Sequence, residues 1–313
     1  MPTKYLVLII LAVFLNLLAI VSHFKIKKTI VAECCFALAS LFSFSLFVFN
    51  WIDTGEPPFG NMYHVKVVLS FSFYPLWKLL VYCTNDKKLL PIFNVSAIIF
   101  CMASYFVWNG EAWRRPPALQ SIYFVPHVMA YMIGYALATV AFISIFLEVL
   151  RSESEKLTRR YLHLFIPLLF LVLGVVLGWT TTYFLVVGAI YSIFLALSFI
   201  MGSDRFQLSE QVELGVQSYP VLLLAMPFIT TGLVLGCLWA EEIWGKYWSW
   251  DNKETWSLIT WFLYLTYFHA QKSAVLKKRS TVIHLLAYLA LVVTFLAVNL
   301  LPKMASAMHS YAN

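Results

Sequence analysis

The sequence predicts an all-α polytopic transmembrane helical bundle of about ten helices, folded as a single integral membrane domain over residues 1–313. Two observations carry this. The chain is 61% hydrophobic and only 12% charged, more apolar surface than a soluble core of this size encloses. Its apolar residues also gather in runs long enough to cross a hydrocarbon layer of about 30 Å at about 1.5 Å per residue. In so apolar a chain the net charge of +7 reports an asymmetry between loops, not a nucleic-acid partner.

The first run, 4–22, has no basic region before it and no small-residue cleavage site behind it, so it reads as a retained helix and not as a signal peptide. Further runs follow at 29–50, 63–83, 88–107, 124–149, 161–178, 181–201, 218–240, 256–271 and 281–300. Residues 161–201 count as two helices, because about forty residues in one helix would reach roughly twice across the hydrocarbon; the turn falls at 179–181. Pro75, Pro167 and Pro227 lie inside runs and predict kinks.

The connections fall into two alternating sets. One holds Lys25, Lys27, Lys28, Lys87, Lys88, Arg151, Lys156, Arg159, Arg160, Arg205, Lys272, Lys277, Lys278 and Arg279, the other only Lys4, Arg114, Arg115, Lys246, Lys253 and Lys303. Basic loops stay in the cytoplasm. The second set, with both termini and the loop at 240–255, is therefore expected outside.

That loop opens the densest aromatic stretch of the chain, WGKYWSWDNKETWSLITW at 244–261; six of the eleven tryptophans are Trp239, Trp244, Trp248, Trp250, Trp256 and Trp261. Tryptophan and tyrosine gather at membrane interfaces simply because their rings are amphipathic, which accounts for any one of these residues. Six around one loop exceed what an interfacial belt needs, and point to a large planar ligand lying on Trp244, Tyr247, Trp248, Trp250 and Trp256. Asp251 and Glu254 read as a capping box for the following helix, Asp251 accepting from the helix N-terminus and Glu254 returning a bond to the Asp251 backbone N–H. This is preferred to a catalytic carboxylate pair.

Cys34, Cys35, Cys83, Cys101 and Cys237 lie mostly inside apolar runs without Cys-x-x-Cys spacing, as small buried hydrophobes do. Without Cys-x-x-Cys-His the chain does not itself carry a covalent c-type haem. Of the seven histidines, His127 at the outer end of the fifth run and His309 in the outer tail share a side with the tryptophans. Two imidazoles beside an aromatic surface suit a metalloporphyrin, whose iron takes axial ligands while its rim rests on flat side chains. His64 is also near the outer face and His269 at the inner end of the ninth run, whereas His163 and His284 read as structural. The outer side offers neither a thiolate nor a His-x-x-x-His pair, so a closed zinc site is poorly supported.

The run from Trp244 through Asp251, Asn252, Lys253 and Glu254 to Trp256 closely resembles the WWD motif of haem-handling membrane proteins, and its continuation KETWSLITW resembles the CcsA (ResC) branch of cytochrome c biogenesis proteins. Asn61-Met62-Tyr63, the stretch from Pro117 through Ser121 to His127, Tyr267-Phe268-His269 and His309-Ser310-Tyr311 agree with it. The likeness is strong over 218–313 and patchy over 57–135, with a second haem-ligand region at about 108–135. It implies an exporter of haem b, taken as substrate, that presents it for covalent attachment to apocytochrome c. It further implies His127 and His309 as iron ligands of an outer site flanking the WWD loop, and His269 as a ligand of an inner one. The partners implied are a ResB/CcsB-like membrane protein, an apocytochrome c bearing a CxxCH segment and a thiol-reducing thioredoxin-like protein. The membrane implied is a bacterial plasma membrane or a thylakoid. Three positions depart from the pattern: Asn252 stands where Pro is usual, His64 where Glu is usual, and Ala312 where Gly is usual; the second makes His64 an extra ligand candidate. The alternative activity is a haem carrier that forms no thioether, and a third reading is a structural subunit whose tryptophans only anchor it.

Overall fold

The computed structural model describes residues 1–26, 29–55, 59, 62–85, 87–106, 108, 117–151 and 214–297. Among these, eight α-helices account for nearly all the regular structure, with no strand: α1 (Thr3–Val21), α2 (Thr29–Thr54), α3 (Met62–Thr84), α4 (Leu90–Phe106), α5 (Phe124–Arg151), α6 (Leu214–Trp244), α7 (Asn252–Lys272) and α8 (Ser280–Val292). They coincide with eight of the ten expected runs. The runs at 161–178 and 181–201, the turn between them and Pro167 lie outside the described residues. α3 continues through Pro75, and α6 through Pro220 and Pro227.

Five helical stretches are long and apolar enough to cross a membrane: Thr3–Ile26, Thr29–Thr54, Tyr63–Thr84, Phe124–Phe146 and Ser218–Trp244; α4 and α8 belong to shorter apolar helices. α7 is less apolar, since it carries Lys253 and Glu254 at one end and His269, Gln271 and Lys272 at the other. The pattern of burial is that of a bundle in lipid. In α1, Tyr5, Ile9, Ala12, Asn16 and Ala19 face inward at helical spacing, while Val7, Ile10, Phe14 and Leu17 are exposed. So many large apolar side chains on the outside would make a water-soluble protein associate; against hydrocarbon they are the solvated face. Several buried polar side chains donate to carbonyls of their own helices. Asn16 donates to the Ala12 carbonyl at 2.8 Å, Asn94 to Leu90 at 2.9 Å and Ser144 to Val140 at 2.8 Å.

α1 pairs with α2, α3 with α4, α5 with α6 and α7 with α8, and α5 also reaches α3, α4 and α8. Trp77, Phe36, Phe73 and Phe93 fill the core of the first four helices. The two ends of the bundle differ. At one end Asp53 takes Lys4 at 2.8 Å and the Tyr5 hydroxyl, His64 Nε2 meets Asn50 Oδ1 at 3.0 Å, and Trp108 packs on Tyr5 and Tyr63. This end also holds the start of α5, the end of α6 and the tryptophan-rich loop. At the opposite end Lys78 and Lys87 pair with Glu33.

Candidate functional site

His127 lies one turn into α5, and its placement begins in the turn before it. Pro117–Gln120 form a single 3-10 turn; the Tyr123 N–H donates to Ser121 Oγ at 3.1 Å and the His127 N–H to the Tyr123 carbonyl at 3.0 Å, which starts the helix. The half-buried imidazole then meets α6. Its Nδ1 lies 2.7 Å from the Gly232 carbonyl oxygen, Trp239 stacks on one face at 5.8 Å and 25°, and Tyr131 stands edge-on at 5.1 Å. A carbonyl oxygen only accepts, so Nδ1 carries the proton and the lone pair of the neutral ring is on Nε2. This is how histidines that bind metals are commonly fixed, the second nitrogen being held by a carbonyl.

Close approach of α6 depends on absent side chains. A Cβ on Gly236 would lie 2.7 Å from His127 Cε1 and 2.8 Å from Nδ1, one on Gly232 would lie 2.9 Å from the Tyr131 ring, and one on Gly134 would lie 2.6 Å from Ile229 Cγ1. Gly232 and Gly236 are four apart, a spacing that lets membrane helices touch. Trp239 then ties the end of α6 to the turn before α5. Its Nε1 donates to the Ala118 carbonyl at 2.8 Å, its ring packs with Leu119 and Phe124, and Ser121 Oγ bonds the Glu242 carboxylate.

α6 ends at Trp244, whose ring meets Trp239 at 4.9 Å. Gly245 has φ +68° and its N–H returns to the Glu241 carbonyl at 2.8 Å, a left-handed helix stop that glycine adopts without strain. In the loop that follows, Trp250 has φ +59°, a conformation that disfavours a bulky residue and that persists where the surroundings impose it. Asp251 Oδ1 accepts from the Glu254 N–H at 2.8 Å, as the capping box requires. The Glu254 carboxylate reaches further than expected, accepting from the Ser249 N–H at 2.7 Å and from Ser249 Oγ at 3.1 Å, on the far side of Trp250. It therefore ties the loop to the first turn of α7. Tyr247 and Trp250 are 59% and 70% exposed. Trp248 is half-buried, meets Trp250 at 5.8 Å and 82°, and has a shielded Nε1 with no acceptor among the described residues. Trp256 is half-buried in the second turn of α7, and Trp261 donates to Thr230 Oγ1 at 3.0 Å, tying α7 to α6.

The tryptophans thus divide by task. Trp239 stacks on His127 and Trp244 packs on Trp239, Trp248 and Trp250 form the loop surface, and Trp256 and Trp261 belong to α7. His269 is exposed in the last turn of α7, about 26 Å along the helix from Asn252. His64 is buried against Asn50, and His284 is buried between α7 and α8. His309 and His163 lie outside the described residues. Of the cysteines, Cys35 and Cys101 are buried, Cys237 is half-buried and Cys34 and Cys83 are exposed. The residues that shape the His127 environment without having drawn notice in the sequence are Tyr131, Gly232 and Gly236; Trp239 stood out only as one of six clustered tryptophans. Only the glycine spacing was a usable signal.

Residues 59–306 match the cytochrome C assembly protein family, a span that takes in His127, the tryptophan-rich loop and His269. The chain belongs to that family. Curated relatives agree along most of their length. The cytochrome c biogenesis protein CcsA of Aethionema cordifolium is 31% identical over 302 residues, covering 88% of this chain and 84% of the relative. The protein of the same name from Atropa belladonna is 30% identical over 276 residues, with 86% and 81% covered. That of Marchantia polymorpha is 28% identical over 297 residues, with 90% and 87% covered. The family and the apolar helices together make this a membrane protein of cytochrome c assembly.

Proposed function

We propose that the protein binds haem b as its substrate at the end of the bundle that carries the tryptophan-rich loop, and presents it for covalent attachment to an apocytochrome c. The observation that carries this is the fixed His127 tautomer, which leaves the ligating lone pair on Nε2. The loop supports it with two exposed aromatic rings and the shielded Trp248 N–H, a donor suited to a ligand acceptor. His127 and His309 are the proposed iron ligands, and Trp244, Tyr247, Trp248, Trp250 and Trp256 the surface for the macrocycle, with Asp251 as the cap that fixes the loop. His269 is the proposed ligand of a second, inner site completed by a ResB/CcsB-like partner.

In the attachment step each thiol of a CxxCH segment adds across a vinyl group of the substrate, sulfur forming the bond to one carbon and hydrogen going to the other. The haem supplies the reactive bonds, so the contribution of the protein is to hold the two reactants in register. A thioredoxin-like protein would keep the segment reduced. With the basic loops in the cytoplasm, the loop end faces outward, in a bacterial plasma membrane or a thylakoid.

The test is a reduced-minus-oxidised spectrum of the protein purified with its partner. Low-spin bis-histidine bands that shift or vanish in a His127→Ala, His309→Ala variant are expected. Bands unchanged in that variant would remove these ligands. Co-expression with an apocytochrome in a host lacking other maturation systems separates attachment from carriage, since a carrier yields haem-loaded protein and no covalent product.

A further inference from the structure

The opposite end of the bundle holds a group of polar rings that the proposed haem chemistry does not use. His284, in the second turn of α8, is 0% exposed and so is shielded from lipid as well as from water. Among the described residues, neither of its ring nitrogens has a hydrogen-bond partner. Across the α7–α8 interface it faces two buried tyrosines, Tyr264 at 5.9 Å and Tyr267 at 5.5 Å between ring centroids. The Tyr264 hydroxyl is likewise buried without a partner, and the Tyr267 hydroxyl accepts from Gln271 at 3.1 Å. The polar line continues toward the loop end, where Tyr288 donates to Thr139 at 3.1 Å and Thr260 meets Thr294 at 3.2 Å.

An unpartnered imidazole and phenol side by side in a membrane bundle are costly, because nothing in hydrocarbon replaces the missing bonds. The chemistry of the neighbours says what satisfies them. A neutral imidazole needs one acceptor and one donor, and a phenol needs a partner of either kind. A bound cation would require carboxylates or several ligating groups, and no cluster of three His, Cys, Asp or Glu occurs among the described residues. The ring contacts of His284 are to tyrosines, not to lysine or arginine, which an anion would require. Water both donates and accepts, so one molecule can serve an imidazole nitrogen and a phenol hydroxyl with bonds of about 2.8 Å to each.

We propose that α7 and α8 enclose an internal water site built on His284, Tyr264 and Tyr267, so that this interface is hydrated inside the membrane although it has no exposure to bulk solvent. The site lies on the part of α7 that carries His269, yet on the buried side of the helix, while His269 is exposed. The proposal is independent of the haem reading, and its test uses no haem.

Radiolytic hydroxyl-radical labelling of the purified protein, read by mass spectrometry, marks buried side chains that lie beside bound water. Tyr264 and His284 are expected to label at rates within about threefold of exposed Tyr247 and at least tenfold above Phe73 and Phe93, which are equally buried among apolar groups. Labelling of Tyr264 and His284 at the rate of Phe73 and Phe93 would overturn the proposal. A His284→Phe, Tyr264→Phe variant, which removes the polar atoms while keeping rings in place, is expected to lower labelling of Tyr267 at least threefold. Unchanged Tyr267 labelling in that variant would overturn it as well.

Discussion

Gly236→Ala is the sharpest perturbation available, because its effect falls on one ring. The added methyl would lie 2.7 Å from His127 Cε1 and 2.8 Å from Nδ1, where carbon atoms settle at about 3.5–4.0 Å. Relief takes a displacement of about 1 Å. The atoms in the way belong to a side chain that can swing, whereas the equivalent change at Gly134 meets Ile229 Cγ1 at 2.6 Å and the Ile229 backbone nitrogen at 3.2 Å. The ring therefore yields before the helices do. A shift of about 1 Å away from α6 stretches the 2.7 Å bond to the Gly232 carbonyl to about 3.7 Å, beyond hydrogen-bonding range, and frees the tautomer. Loss of such an outer-shell partner lowers metal affinity about 10–100-fold, which corresponds to about 1.4–2.8 kcal/mol. The assay is haem titration of the complex purified with its partner, followed by Soret absorbance, together with thermal unfolding. Weakened haem binding with a melting temperature close to that of the wild type is expected. Wild-type affinity and spectrum in Gly236→Ala would refute the argument that α6 sets the His127 ring.

Three further outcomes follow from the loop and its anchors. Asp251→Ala removes the cap on α7 and is expected to destabilise the protein by about 1 kcal/mol, with Asp251→Asn costing less, as read by thermal unfolding. Trp250→Gly relieves a left-handed φ of +59° and removes an exposed ring, so stability should hold or rise while covalent cytochrome yield falls; a wild-type yield would show that the ring is not used. Trp239→Phe keeps the stack on His127 but loses the bond to the Ala118 carbonyl; a loss of about 1 kcal/mol and faster proteolysis between residues 108 and 123 are expected, and cleavage at the wild-type rate would show that Trp239 does not pin that turn.

Helices were legible from apolar runs because a membrane segment is selected by length and hydropathy, both local properties. Asp251 was legible for the same reason, since a cap and its N–H lie three residues apart. His127 was found by sorting loops by charge, which fixes sides but not neighbours. What the sequence withheld was which helix passes His127 and how closely. Gly232-x-x-x-Gly236 announces a close crossing, yet nothing local says that the groove receives an imidazole and not another aliphatic ridge. The tryptophans looked like one sheet because they are adjacent in sequence. In space Trp239 packs against the turn before α5, while Trp256 and Trp261 lie in α7 beyond the loop. The reach of Glu254 to Ser249 was equally hidden, since it depends on the backbone reversal at Trp250.

The interlocking of α5 and α6 through Gly134, Gly232 and Gly236 has a bearing on the lipid. Transmembrane helices answer a thicker or thinner bilayer by tilting, each by an amount its own packing allows. Two helices that interlock at three glycines, with Trp239 and Glu242 fastened to the turn ahead of α5, are poorly placed to tilt separately. They lean as one body, and His127 travels with the carbonyl and indole that orient it. The attitude of the His127 ring is thereby insulated from membrane thickness, so that the same chain would hold this histidine alike in bilayers of quite different composition.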